Sequence, residues 1–243
     1  MLTVLYRDDR LIAIDKPSGW LVHRSNLDRH ETRILVQALR NQIGRHVYPV
    51  HRLDKGTSGV LLFALDPETA KVVGNQFERN EVSKSYLAVV RGWPAESGVI
   101  DHPLKPEQDE YGDAHAGEPQ SALTEYCRLA SAEFHVAVDH YPTARYALVA
   151  LKPHTGRRHQ LRRHMKHIAH PIIGDATHGK GIHNRFFQSQ FGCHRLLLAC
   201  TKLRLHHPTD ASEICIRAPL GDQFATVIEQ LGWRAVVQSF EVS

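Results

Sequence analysis

The stretch HRLDKGTSGVLLFAL, residues 51–65, decides the fold class. It opens on four ionisable side chains, His51, Arg52, Asp54 and Lys55, and closes on residues 59–65 with almost no polar atoms. The closing run reads as a strand buried on both faces. Asp66 and Pro67 then supply an N-cap and a first-turn proline for a helix predicted to run to about Arg79, with Ala70, Val73 and Phe77 on its apolar face. Working outward, the chain does not go on alternating strand and helix. Upstream, 2–6 and 11–15 read as short strands around a turn at 8–10, and KPSG (16–19) as a turn. Ile34, Leu35, Ala38, Leu39 and Ile43 make a helical stripe in 31–44, ending at Gly44. VYPVHRLD reads as extended. Downstream, strands are predicted near 85–92, 122–130, 133–139, 145–151, 195–205 and 213–218, and helices over 159–168 and 224–233. Residues 106–121 are polar and turn-rich, a surface loop or hinge. Strands dominate and helices enter irregularly. The expected fold is therefore α+β, with a mixed, mostly antiparallel central sheet and flanking helices.

Composition is ordinary for a globular chain of 243 residues, with 42% hydrophobic and 23% charged. No apolar run approaches the roughly 18 residues of a membrane span. The charged N-terminus reads as neither signal nor transit peptide, so a cytoplasmic location is expected. The four cysteines form no CxxC pair and match no zinc spacing, and reduced thiols are expected. Net charge is only +4 but unevenly placed. Residues 151–200 hold nine Lys or Arg against one acid, whereas 95–139 hold ten acids against two bases. A basic face of that kind suits a polyanion. No phosphate-binding glycine loop occurs, so a nucleotide cofactor has no support.

Four stretches can carry chemistry. In the first, Asp54 stands between Arg52 and Lys55. Cations favour an ionised carboxylate, and on an extended strand Arg52 and Asp54 share a face. Thr57, Ser58 and Gly59 leave room for a ligand. A structural ion pair ahead of a core strand and a carboxylate held ready for reaction are both open at this point. The second stretch is Lys84-Ser85-Tyr86, where Tyr86 is either a packed aromatic or a platform for a base. The third, TGRRHQLRRH (155–164), leads through Arg157, Arg158 and His159 into a helix N-terminus, a ready phosphate site. Arg158, Arg162 and Lys166 are four apart and expected on one helix face. The fourth is HPIIGD (170–175), whose Asp175 reads as a turn former. His164 and His167 could bind a metal, but no carboxylate accompanies them and the surrounding Arg and Lys would repel a cation.

Together HRLDKGTSGVLLFA, KSYLAVVRG, KPHTGRRHQLRRHM, HPIIGD and DKPSGWLVH resemble the RluA-type pseudouridine synthases, in family order over roughly 5–220. The resemblance implies a pseudouridine synthase fold with a central catalytic cleft between two halves of one domain spanning 1–243. No S4-type extension is expected, because the motifs begin almost at Met1. It implies Asp54 as the catalytic aspartate with Arg52 in the same motif, Tyr86 beside the target base, and Arg162 paired with the aspartate. Leu161 would wall the pocket, and His51, Lys84, Thr57, Arg157, Arg158 and His159 would contact substrate RNA. No cofactor, no metal and no obligate protein partner are implied. SGWLVHRS, THG and the late LGWR lie closest to the tRNA-acting branch, which modifies uridine 65 of the T stem. A synthase for 23S ribosomal RNA and a non-catalytic RNA-binding module are the alternatives. Where relatives read RLxLHA, this chain has Ala199 in place of the histidine, which bears on a packing or RNA contact. The route from Asp54 (attack at the base, attack at the sugar, or a glycal) is open from sequence.

Overall fold

The computed structural model describes residues 1–23, 32–107 and 117–242. Arg24 and Ser25 of SGWLVHRS, Glu31 ahead of the first helix and residues 108–116 of the expected loop lie outside them. In chain order the elements are β1 (Val4–Arg7), β2 (Leu11–Lys16), α1 (Leu35–Ile43), β3 (Tyr48–Pro49), β4 (Ser58–Ala64), α2 (Pro67–Glu78), β5 (Ser83–Arg91) and β6 (Ser97–Asp101). There follow β7 (Leu123–Phe134), β8 (Ala144–Pro153), α3 (Gln160–His167), α4 (Gly181–Phe191), β9 (Leu198–His206), β10 (Glu213–Arg217), α5 (Asp222–Gln230) and α6 (Arg234–Val242). No helix among the described residues is long and apolar enough to cross a membrane.

The chain folds into two compact units, passing from one to the other five times. The first comprises Met1–Lys84, Lys105–Pro119 and Cys200–Pro219. Here β2 lies between β1 and β4, antiparallel to both, with Lys16 opposite Gly59. A parallel bridge joins Leu21 to Ile34. All seven residues of β4 are buried, as its apolar run requires. Gly59, the second residue of that strand, has φ +107, and a Cβ there would sit 2.0 Å from the Cys200 carbonyl oxygen of β9. Only glycine permits this approach. Asp66 caps α2, accepting from Thr69 N at 2.8 Å. The buried face of α2 is Thr69, Val73 and Gln76, one step around from the apolar face expected. Gln76 can be buried because its amide donates to His206 O at 2.9 Å and accepts from His206 N at 3.1 Å, extending the end of β9.

The second unit comprises Ser85–Leu104, Gln120–Ala199 and Leu220–Ser243. Its strands run β5-β8-β7-β6, antiparallel throughout. Leu87, Val89, Tyr146 and Leu148 face one side, packed with Phe187, Phe224, Val227, Ile228, Trp233 and Val237 from α4, α5 and the start of α6. Ala199, which replaces the family histidine, is fully buried in that same core. Residues of the other parity, including Tyr86, Leu151, Tyr126 and Thr124, look to the opposite face, where α3 binds through Thr124.

Several sequence expectations need correction. Residues 133–139 are not a separate strand. β7 continues through an irregularity between Arg128 and Ala130 to Phe134, and a loop follows. β6, α4 and α6 carried too little periodicity to be anticipated. HRLD is not a strand, so the shared-face argument for Arg52 and Asp54 does not hold. His159 adopts φ 51 and caps a helix that begins at Gln160, which leaves Arg158 outside it and off the face of Arg162.

Candidate active site

In the first unit two loops lock around the turn that follows Asp54. Thr57 N donates to Asp54 O at 3.0 Å, closing the turn. Lys16, fully buried, donates from Nζ to the carbonyls of Thr57 (2.7 Å), Lys55 (3.1 Å) and Pro17 (3.1 Å). Gly19 N adds a bond to Lys55 O at 2.7 Å, and Ser18 Oγ one to Gly56 O at 2.7 Å. The loop 15–19 thus holds three consecutive carbonyls, 55 to 57, and fixes the backbone on which Asp54 is carried. A charged donor shared among carbonyls gives stronger bonds than neutral pairs do. Leu53 is buried, Asp54 is half-buried and Arg52 is exposed, so the motif anchors through its leucine.

His51 is built into the scaffold. Its Nε2 accepts from Leu62 N at 3.0 Å, and its ring stacks on Phe77 at 4.7 Å. Burial, and after it the charge of Lys84, push its pKa down to about 3. The imidazole is therefore neutral, as an acceptor Nε2 requires. Lys84 is itself buried, and burial lowers its pKa. Thr57 is buried, its carbonyl serving Lys16.

In the second unit Tyr86 is 8% exposed and lies opposite Leu151, which lies opposite Tyr126. Leu161 and Arg162 are buried in the first turn of α3. Gln160 sets that turn. Its Oε1 accepts from Thr155 Oγ1 (2.7 Å) and Arg157 N (3.0 Å), while Nε2 donates to Leu123 O and Thr124 Oγ1, each at 3.0 Å. Arg157 is exposed and donates from Nε to Ser121 O at 3.1 Å; Arg158 and His159 are half-buried.

Asp175, expected as a turn former, has a larger part. Arg162 Nε donates to its Oδ2 at 2.6 Å and Nη2 to its Oδ1 at 2.8 Å, a fork-on-fork pair with the carboxylate wholly buried. Thr177 N (2.9 Å) and His178 N (2.8 Å) also donate to Oδ1. Burial alone would raise this carboxyl, but the Arg162 bonds and the two N–H groups outweigh it, and the pKa falls. No local signal revealed the pairing, because Arg162 is thirteen residues away and the fold brings the two together. His164 and His167 do not make a metal pair. His164 donates from Nε2 to His102 O and accepts at Nδ1 from Thr124 Oγ1, which leaves neither ring nitrogen for a cation.

Asp54 beside its locked turn, Tyr86 in β5 and the ion-paired Arg162 are the residues that the sequence motifs singled out. Residues 10–167 match the RNA pseudouridylate synthase family, and the chain belongs to it. Among curated relatives, tRNA pseudouridine synthase C of Pectobacterium carotovorum subsp. carotovorum is 50% identical over 244 residues, 99% of this chain; the chain spans 65% of that relative's length. The protein of the same name from Vibrio cholerae serotype O1 is 48% identical, covering 96% of this chain and 97% of the relative. Among solved structures, human RNA pseudouridylate synthase domain containing 4 is 26% identical at a TM-score of 0.70, covering 95% of this chain and 93% of that one.

Proposed function

We propose that the chain isomerises a uridine of tRNA, at position 65 of the T stem, to pseudouridine. The observation that carries the reading is the near-full-length identity to relatives named tRNA pseudouridine synthase C, with the Asp54, Tyr86 and Arg162 motifs in place. In the reaction the N1–C1′ bond breaks, the uracil turns, and C5 joins C1′. The C5 proton leaves and N1 gains one, so atoms and electrons balance without a redox partner. A stem base has to leave its stack, at a cost of a few kcal/mol, and phosphate contacts from Arg157, Arg158 and His159 offset that cost. Tyr86 stacks on the extruded base beside Leu161. Asp54 is the reacting carboxylate, and Arg162 and Arg52 are the arginines assigned to act in the same reaction, Arg162 with Nε and Nη2 held by Asp175. His51 anchors the start of the motif through Leu62 N, and Thr57 fixes the loop through its carbonyl to Lys16. No metal or cofactor takes part in this scheme.

The test is incubation with unmodified tRNA transcript in the presence of a chelator, followed by pseudouridine mapping. One new pseudouridine at position 65 is expected, and none in a transcript carrying cytidine there. Modification confined to a 23S ribosomal RNA fragment would overturn the substrate assignment. Asp54→Asn is expected to bind transcript as the wild type does and to form no product; substantial residual product would remove Asp54 from its role.

A further inference from the structure

The outer side of α3 gathers positive groups that the proposed base pocket does not use. His102, just after β6, stacks its ring on His167 with centroids 3.7 Å apart and planes 15° apart. Arg163 lies four residues before His167 and so on the same helix face. Lys166 and His167 are exposed, and His102 and Arg163 are half-buried. Beneath them sits buried His164. Burial lowers its pKa, the hydrogen bond to the His102 carbonyl works against that, and the charges of His102, His167 and Arg163 add to the lowering. Thr124 of β7 is the neutral group on the inner side, and Asp101, the acid next to His102 in the chain, is exposed. Among the described residues no carboxylate pairs with His102, His167 or Lys166. The helix dipole accounts for Lys166 and His167 in the last turn of α3. It does not account for His102, which another element brings onto the same spot.

Crowded cations lower their energy by taking up an anion. We propose that His102, Lys166 and His167 form a binding patch for backbone phosphates of the RNA, separate from the residues assigned to the target base. The proposal rests on the substrate reading above. The ring of His102 can be removed without disturbing His164, because His164 bonds to the His102 carbonyl and not to its ring.

The experiment compares the full chain with a His102→Gln, His167→Gln double variant. Affinity for unmodified tRNA transcript is measured over a series of salt concentrations at fixed pH. The wild type is expected to bind several-fold more tightly than the double variant at low salt. The variant's log-affinity against log-salt slope is expected to fall by about 1 for each phosphate that the patch no longer neutralises. Equal affinity and equal slope in both proteins would overturn the proposal. A second measurement follows the His102 and His167 ring signals by NMR on adding a short RNA duplex or inorganic phosphate. Movement with the duplex supports the patch. No movement, or movement with inorganic phosphate alone, overturns the RNA assignment. Absence of pseudouridine in the wild-type reaction would defeat the substrate reading separately, with the duplex arm still deciding the patch.

Discussion

At the scale of the residue, the site depends on charges that are buried and fully partnered. Asp175 is the plainest case. Taking one member out of a buried ion pair leaves the other uncompensated and costs about 3–5 kcal/mol. Asp175→Asn is expected to destabilise the fold by an amount of that order, seen in chemical denaturation. Acting on Arg162 as a positioning residue, it is also expected to lower kcat with KM little changed; a rise in KM alone would place Asp175 in binding instead. His51 gives a pH prediction. Its folded pKa, about 3, lies far below the ordinary 6.5, so the unfolded chain takes up the proton first. Its contribution to stability is complete above 6.5 and drains away as pH falls from there toward 3. Thermal midpoints in mild acid should therefore fall less steeply for His51→Gln than for the wild type. The motif containing Asp54 was legible because HRLD and TSG are contiguous. The grip of Lys16 on carbonyls 55 to 57 was not, because the lysine and its acceptors lie some forty residues apart.

Elements that carry their own signal were read well. β4 announced itself by an unbroken apolar run, α2 by Asp66-Pro67, and α1 by its stripe and the left-handed Gly44. Those that failed lacked a local signature. β6 is five residues with a glycine at its second position. α4 follows a glycine-rich turn, and its polar residues leave only a short aromatic stripe, Phe187 and Phe191 at four-residue spacing, which packs with Tyr146 and Phe134. α6 follows so closely on Gly232 and Trp233 that the chain reads as ending there. The face of α2 was misjudged because Gln76 was scored as polar, although its amide completes both backbone groups of His206. Gln76→Leu is expected to cost about 1–3 kcal/mol, since two backbone groups lose partners while apolar area is gained. Urea denaturation would show it, together with faster amide exchange at His206. An unchanged midpoint would mean that water replaces the amide.

For the whole molecule, net charge is a poor guide and its distribution a good one. A total of +4 suggests little affinity for RNA, yet nine of the basic side chains fall within residues 151–200 against a single acid, and that acid is already matched by Arg162. Binding to tRNA should accordingly weaken steeply with salt. Arg157→Ala is expected to reduce the slope by about 1 while leaving the rate at saturating RNA near the wild-type value. An unchanged slope would take Arg157 off the RNA. The fold class was legible because strand count and irregular helix placement survive errors in individual elements. The boundaries of the units were not, because each is assembled from three separated stretches. That interleaving has a consequence for biosynthesis. The first unit needs Cys200–Pro219 to complete its sheet, and the second needs the helices that follow. A ribosome adding about 5–20 residues per second will have translated residue 219 of 243 before either unit can close. Nascent chains stalled earlier should remain protease-sensitive along their whole length, and no cloned fragment from either end should yield a stable half.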